Sequence, residues 1–96
     1  MLERQFQSDL IRELRDEGCW VLKNDSGYLQ GVPDLIVLYE DRWAMLEVKR
    51  AKGARTQPNQ EYYVDVLDRM SFAAFIHPGN KETVLNDMWN HLRRSR

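Results

Sequence analysis

Only one cysteine, Cys19, occurs in the 96 residues, so no internal disulfide can form. It sits in an apolar run and reads as a small buried thiol. No apolar stretch approaches the roughly 20 residues of a membrane span, and charges begin at Glu3 and Arg4, so no secretory signal is visible. A cytoplasmic protein without membrane contact is expected. Charge of one sign is also missing. Fourteen Lys and Arg stand against 15 Asp and Glu, a net charge of −1, which excludes the strongly basic balance of many nucleic-acid binders. There are no internal repeats, low-complexity segments or linkers. One domain with a modest core remains, spanning 1–96, with 43% hydrophobic and 30% charged residues.

What positive charge there is lies in clusters. Lys49, Arg50, Lys52 and Arg55 fall within seven residues, and Arg93, Arg94 and Arg96 lie at the end of the sequence. A solvated loop is the ordinary reading of such a cluster. The first one, however, directly follows an apolar run interrupted by Glu47-Val48-Lys49.

Periodicity gives the elements. Leu2, Phe6, Leu10 and Leu14 recur every fourth residue, with Ile11 beside them, and predict an amphipathic helix over 2–17. Gly18 ends it, since glycine tolerates the left-handed cap. Residues 19–22 read as a buried strand running into Lys23, and 24–31 as loop punctuated by Gly27 and Gly31. Residues 34–39 and 43–50 are two central strands joined by the short polar Glu40-Asp41-Arg42. Pro33 suits a strand's first residue. A basic loop follows to Gln57. A helix then starts near Pro58, with Thr56 or Gln57 as its N-cap, and an apolar face of Tyr63, Val66, Leu67 and Met70. Residues 72–76 form another buried strand, and Asn80 caps a last helix to about Arg94. The predicted order is α-β-β-β-α-β-α, a mixed four-stranded sheet flanked by helices on both faces.

The chemistry lies in the two central strands. Strand side chains alternate, so Glu47 and Lys49 project from one face. If Glu40 and Asp41 form a two-residue turn, Tyr39 pairs with Arg42 and Asp34 stands opposite Glu47. Opposed residues have Cβ atoms about 4.5–5.5 Å apart. Two carboxylates that close repel unless something positive sits between them. A hard divalent cation takes carboxylate oxygens at about 2.0–2.1 Å, and Lys49 would stand beside it. That is the geometry expected of a metal-dependent phosphodiesterase. Against it stands a plainer reading: a turn residue at a strand start, and a Glu–Lys pair on an exposed edge.

Pro33-Asp34 and Glu47-Val48-Lys49, with Gly31 two residues before Pro33, resemble the PD-(D/E)xK nuclease superfamily. Within it the chain is most similar to small stand-alone VRR-NUC and Holliday-junction-resolvase-like nucleases, over about residues 3–77. Those typically carry a Glu in the first helix and a Gln early in the helix after the Glu-x-Lys strand, where Glu3 and Gln60 fall. The resemblance implies a restriction-endonuclease-like core in which Asp34, Glu47 and the Val48 carbonyl bind Mg²⁺ or Mn²⁺. Glu3 would assist a second metal or hold a metal-bound water. Lys49 would position or help deprotonate the attacking water, and Gln60 would orient a group near the scissile phosphate. The departure is Gln57 immediately before Pro58, where Ser or Thr is expected.

The function expected is therefore a metal-dependent DNA endonuclease. Lys23, Arg50, Lys52 and Arg55 are the candidates for phosphate contacts, which position without reading sequence. With no recognition helix or specificity domain, selectivity for a branched, nicked or duplex structure is expected over selectivity for sequence. A homodimer offers two sites for two strands. The small build suits a phage or mobile-element enzyme. The alternatives are a non-catalytic nucleic-acid-binding module of the same fold, and an interaction protein whose charges are surface decoration. Trp20, Trp43 and Trp89 read as core or cross-strand packing, and His77 as a turn residue.

Overall fold

A computed structural model describes residues 2–24 and 29–94. Gly27 and Arg96 lie outside them. The elements run α1 (Glu3–Asp16), β1 (Trp20–Lys23), β2 (Leu35–Tyr39), β3 (Arg42–Val48), α2 (Gln60–Met70), β4 (Ala73–Ile76) and α3 (Lys81–Leu92). This is the α-β-β-β-α-β-α order read from the sequence, as one compact α/β domain.

The sheet is mixed, with spatial order β1-β2-β3-β4. β1 and β3 run antiparallel to β2, and β4 runs parallel to β3. The β2–β3 register matches the hairpin expectation, with Tyr39 opposite Arg42 and Leu35 opposite Leu46. Glu40 takes φ 56° in the turn, the positive value that a two-residue hairpin needs at its first position.

Alternation sorts the sheet into two unlike faces. Val21, Leu35, Val37, Ala44, Leu46, Val48 and Ile76 form one, covered by Phe6, Leu10 and Leu14 of α1 and Val84, Met88 and Leu92 of α3. Gly18 turns α1 into β1 with φ +99°, a conformation that disfavours side-chain-bearing residues. The opposite face carries Trp20, Leu22, Ile36, Leu38, Trp43, Met45 and Glu47. Helix α2 covers it only over β3 and β4, so helices do lie on both faces, but unequally.

Three local expectations are corrected. β1 is not a buried strand: it is a sheet edge that α2 does not reach, with Trp20 74% and Leu22 45% exposed. Trp20 still aligns across the strands with Leu38. Helix α2 starts at Gln60, two residues after Pro58, and neither Thr56 nor Gln57 caps it; Asn59 precedes it at φ 72° with no side-chain cap. Its buried positions are Gln60 and Val64. Met70, at the far end and round from that stripe, is 69% exposed. Finally, Asn80 precedes α3 without a side-chain cap. Its Oδ1 accepts the His77 N–H at 2.8 Å and its Nδ2 donates to the Phe75 carbonyl at 3.1 Å, tying the turn to β4 instead.

Candidate active site

The hairpin register carries one step past Leu35 and Leu46 to put Asp34 opposite Glu47. Asp34 is fixed from two sides. Its Oδ2 accepts the Val48 N–H at 3.1 Å, and its carbonyl accepts the Asn24 N–H at 2.7 Å. Gly31 brings this segment against the start of α2. A Cβ there would lie 2.9 Å from backbone and side-chain atoms of Pro58 and Asn59, and its φ is +99°. The glycine of the motif thus places Pro33-Asp34 beside the helix that carries Gln60.

Glu47, Lys49 and Gln60 are the buried polar or charged residues among those described, at 3%, 8% and 8% exposure. Gln60 is the crossbar between the other two. Its Nε2 donates to Glu47 Oε2 at 3.0 Å, while its Oε1 accepts from Lys49 Nζ at 2.7 Å and from the Gln57 N–H at 2.8 Å. A carboxylate only accepts and an ammonium only donates, so the amide has a single orientation that satisfies both. Lys49 Nζ also donates to the Arg55 carbonyl at 3.0 Å and lies 3.9 Å from Glu47 Oε2.

Glu47 is the strained member electrostatically. Burial, and after it the negative charge of Asp34, push its carboxyl up from 4.5 to about 8, with the Lys49 ammonium opposing less strongly. As a carboxylate, its Oε1 is buried without a hydrogen-bond partner; while the carboxyl keeps its proton it can donate toward Asp34. The ionised form is therefore the costly one unless something outside the chain completes it.

A divalent cation fits this donor set. Mg²⁺ is typically held by one or two carboxylates and keeps several waters, and here two carboxylates meet with one oxygen orphaned. The Val48 carbonyl leaves its strand on the same edge as the Val48 N–H, facing Asp34. Among the described residues no three of His, Cys, Asp and Glu gather closely enough to form a metal cluster. Glu3 is exposed in the first turn of α1.

The other candidates lie at the same end of the sheet. Lys23 ends β1 opposite Leu35, so alternation gives it the α1 face, the reverse of the one that carries Asp34 and Glu47, and it is exposed. Arg50, Lys52 and Arg55 are exposed on the loop after β3. Arg93 and Arg94 are elsewhere: Arg93 lies over the Trp89 ring at 3.8 Å and pairs with Glu17 at 3.3 Å, and Arg94 reaches His91 Nδ1 at 2.8 Å. Sequence reasoning missed His91, whose Nε2 meets Ser71 Oγ at 2.8 Å; a partner 20 residues away leaves no periodic signal. Among the described residues no helix is long and apolar enough to cross a membrane. No family model, curated protein or solved structure matches the chain.

Proposed function

We propose that this protein is a metal-dependent DNA endonuclease of the PD-(D/E)xK type, acting inside the cell. The observation that carries the reading is the buried Glu47–Gln60–Lys49 crossbar beside Asp34, with Glu47 Oε1 unpartnered. A stability role alone gives no reason to bury a carboxylate against a second carboxylate. Asp34, Glu47 and the Val48 carbonyl would hold Mg²⁺ or Mn²⁺, which supplies Lewis acidity toward the phosphate and a more acidic water. Gln60 holds Glu47 in place and keeps the Lys49 ammonium at the edge of the site. Lys49 stabilises charge gathering on the phosphoryl oxygens and orients the attacking water. Lys23, Arg50, Lys52 and Arg55 grip flanking phosphates without reading bases.

Selection by DNA structure, branched, nicked or duplex, belongs to the proposal, since phosphate contacts position DNA without reading its sequence. A homodimer completes the proposal, one site for each strand. The uncovered apolar face at Trp20 and Leu22 supports it, because exposed apolar patches of this kind mark contact surfaces. Trp20→Asp is expected to shift the sedimenting species from dimer to monomer.

The test is incubation of the purified protein with branched, nicked, single-stranded and linear DNA, in Mg²⁺, Mn²⁺ or EDTA. Cleavage is expected with metal only, and most on one structured substrate. DNA that is bound but never cut under any metal would establish the non-catalytic binding module instead.

A further inference from the structure

One cavity borders the site without belonging to the metal centre. It measures about 500 Å³ and is lined by Lys49, the 51–56 loop, Glu61, Phe75, His77 and Asn80. Its position follows from the sheet. Phe75 pairs with Glu47 across β3 and β4, so both project from the same face. Neighbouring strands lie about 4.8 Å apart, which puts Phe75 one strand beyond Glu47 and two beyond Asp34. Phe75 is only half-buried and lies outside the main core.

The walls are fixed. Lys49 Nζ holds the Arg55 carbonyl at 3.0 Å, setting the loop opposite β4. Asn80 is occupied at both ends of its amide, by the His77 N–H and the Phe75 carbonyl. His77 Nδ1 accepts the Gly79 N–H at 3.0 Å, which fixes the ring. Two of the three N–H groups of the Lys49 ammonium are taken by the Arg55 carbonyl and Gln60, and among the lining residues the negative charge of Glu61 is balanced by the positive charge of Arg55. Between them Phe75 is the large apolar surface, and it suits a flat neutral ring, for aromatic side chains accept any base by stacking.

We propose that this cavity is a nucleobase subsite, where Phe75 stacks the unpaired base of the nucleotide next to the phosphate held at Asp34 and Glu47. This rests on the nuclease reading. It makes Phe75 a positioning residue, and it explains a preference for DNA with a base free to leave its stack, as at a branch or nick.

The test places 2-aminopurine, and separately an abasic residue, at successive positions around the branch or nick of the DNA that binds most tightly. Wild type, Phe75→Leu and Phe75→Trp are compared, with folding checked by thermal melts. One position is expected to change 2-aminopurine emission on binding to wild type and Phe75→Trp, but not Phe75→Leu. An abasic residue there should lower wild-type kcat/KM by about 5- to 100-fold, the span of one base–aromatic stack. It should leave Phe75→Leu unchanged. Millimolar free nucleoside monophosphate should not displace the signal, which separates a base within the strand from a free nucleotide. Equal abasic costs in wild type and Phe75→Leu at every position would overturn the subsite while leaving the nuclease intact. A wild type that never cleaves removes the nuclease reading. The emission arm, read on binding alone, then still decides the cavity.

Discussion

The two ends of the β2–β3 hairpin use their charges in opposite ways. At the turn end, Arg42 donates to the carbonyls of His91 and Leu92 at 3.0 and 3.4 Å, completing the last turn of α3. Arg93 covers Trp89 and pairs with Glu17. Arginine can only donate, so Arg94 fixes His91 Nδ1 as an acceptor, and His91 Nε2–H then donates to Ser71 Oγ. The Ser71 hydroxyl in turn donates to the Trp43 carbonyl at 2.6 Å. Each of these groups finds its partner within the chain. At the other end Glu47 keeps an oxygen with none. Charge at the turn end is consumed in holding the fold; charge at the open end is left for something outside it.

The sharpest way to break this contrast is kinetic. Glu47→Gln should abolish cleavage, by at least about 10²–10⁴-fold, while DNA binding and fold remain nearly intact; Lys49→Ala should abolish it too, but with a loss of stability, because Glu47, Gln60 and the Arg55 carbonyl lose a buried partner. Arg93→Ala should do the reverse. Cleavage stays near wild type, but loss of the cation–π contact over Trp89 lowers Tm. Activity within a few-fold of wild type in either site variant would end the assignment. Gln60→Ala lies between, since removing a group that orients a metal-site residue typically costs about 10–100-fold.

Salt separates the ends next. In duplex binding, each lost phosphate contact reduces the slope of log K against log salt by about 0.9. The triple variant Arg50→Ala, Lys52→Ala, Arg55→Ala should flatten the slope accordingly. Arg93→Ala should leave it alone. An unchanged slope in the triple variant would move the DNA to another surface.

The ends also answer pH with opposite signs. His91 is held below its usual range by burial and then by Arg94 and Arg42. Its contribution is present above its unfolded pKa and is lost as pH falls through the lower folded value. Glu47 is raised to about 8, so metal-free stability is greatest below its unfolded pKa and declines as pH rises from about 4.5 to 8. Melting curves in EDTA should show Glu47→Gln losing the alkaline decline and His91→Asn the acid one. A wild-type Tm that rises steadily from pH 5 to 9 would contradict the Glu47 assignment.

How much of this was legible differs along the same lines. The two-residue turn fixed the register, and with it Asp34 opposite Glu47, because strand counting is local arithmetic. Glu47 and Lys49 share a face by alternation alone, and Gln60 was legible as a polar residue at the loop end of a helix stripe. The later start of α2 was not, because it depends on Gly31 packing against Pro58 and Asn59, 27 or more residues away. Nor was the crossbar, in which a side chain at the start of α2 joins two from the end of β3. Glu3 illustrates the limit: its position in α1 followed from periodicity, but its distance from Asp34 depends on how the helix sits on the sheet. The exposure of Trp20 has the same origin, since an apolar strand gives no sign of which face a helix will leave bare.

The smallest effect tests whether Asp34 belongs to the open end at all. Without metal, Asp34 and Glu47 avoid repulsion by Glu47 keeping its proton up to about pH 8. Asp34→Asn removes one charge with almost no change of shape, and the new amide oxygen can still accept the Val48 N–H. The gain in EDTA should therefore be slight near pH 6 and grow toward pH 9, where wild-type Glu47 is ionised. Cross-strand pairs are worth roughly 0.2–1 kcal/mol, so a few degrees in Tm is the most expected. Metal should reverse the order. A ligand of the folded state at 100 times its Kd contributes about 2.7 kcal/mol, and wild type should gain that stabilisation in Mg²⁺ or Mn²⁺ while the variant loses most of it. Equal metal-induced shifts in the two proteins would remove Asp34 from the ligand set. Strong destabilisation of Asp34→Asn in EDTA would show that the carboxylate's hold on Val48 outweighs the repulsion, and would move Asp34 from the class of unsatisfied charges to that of the turn end.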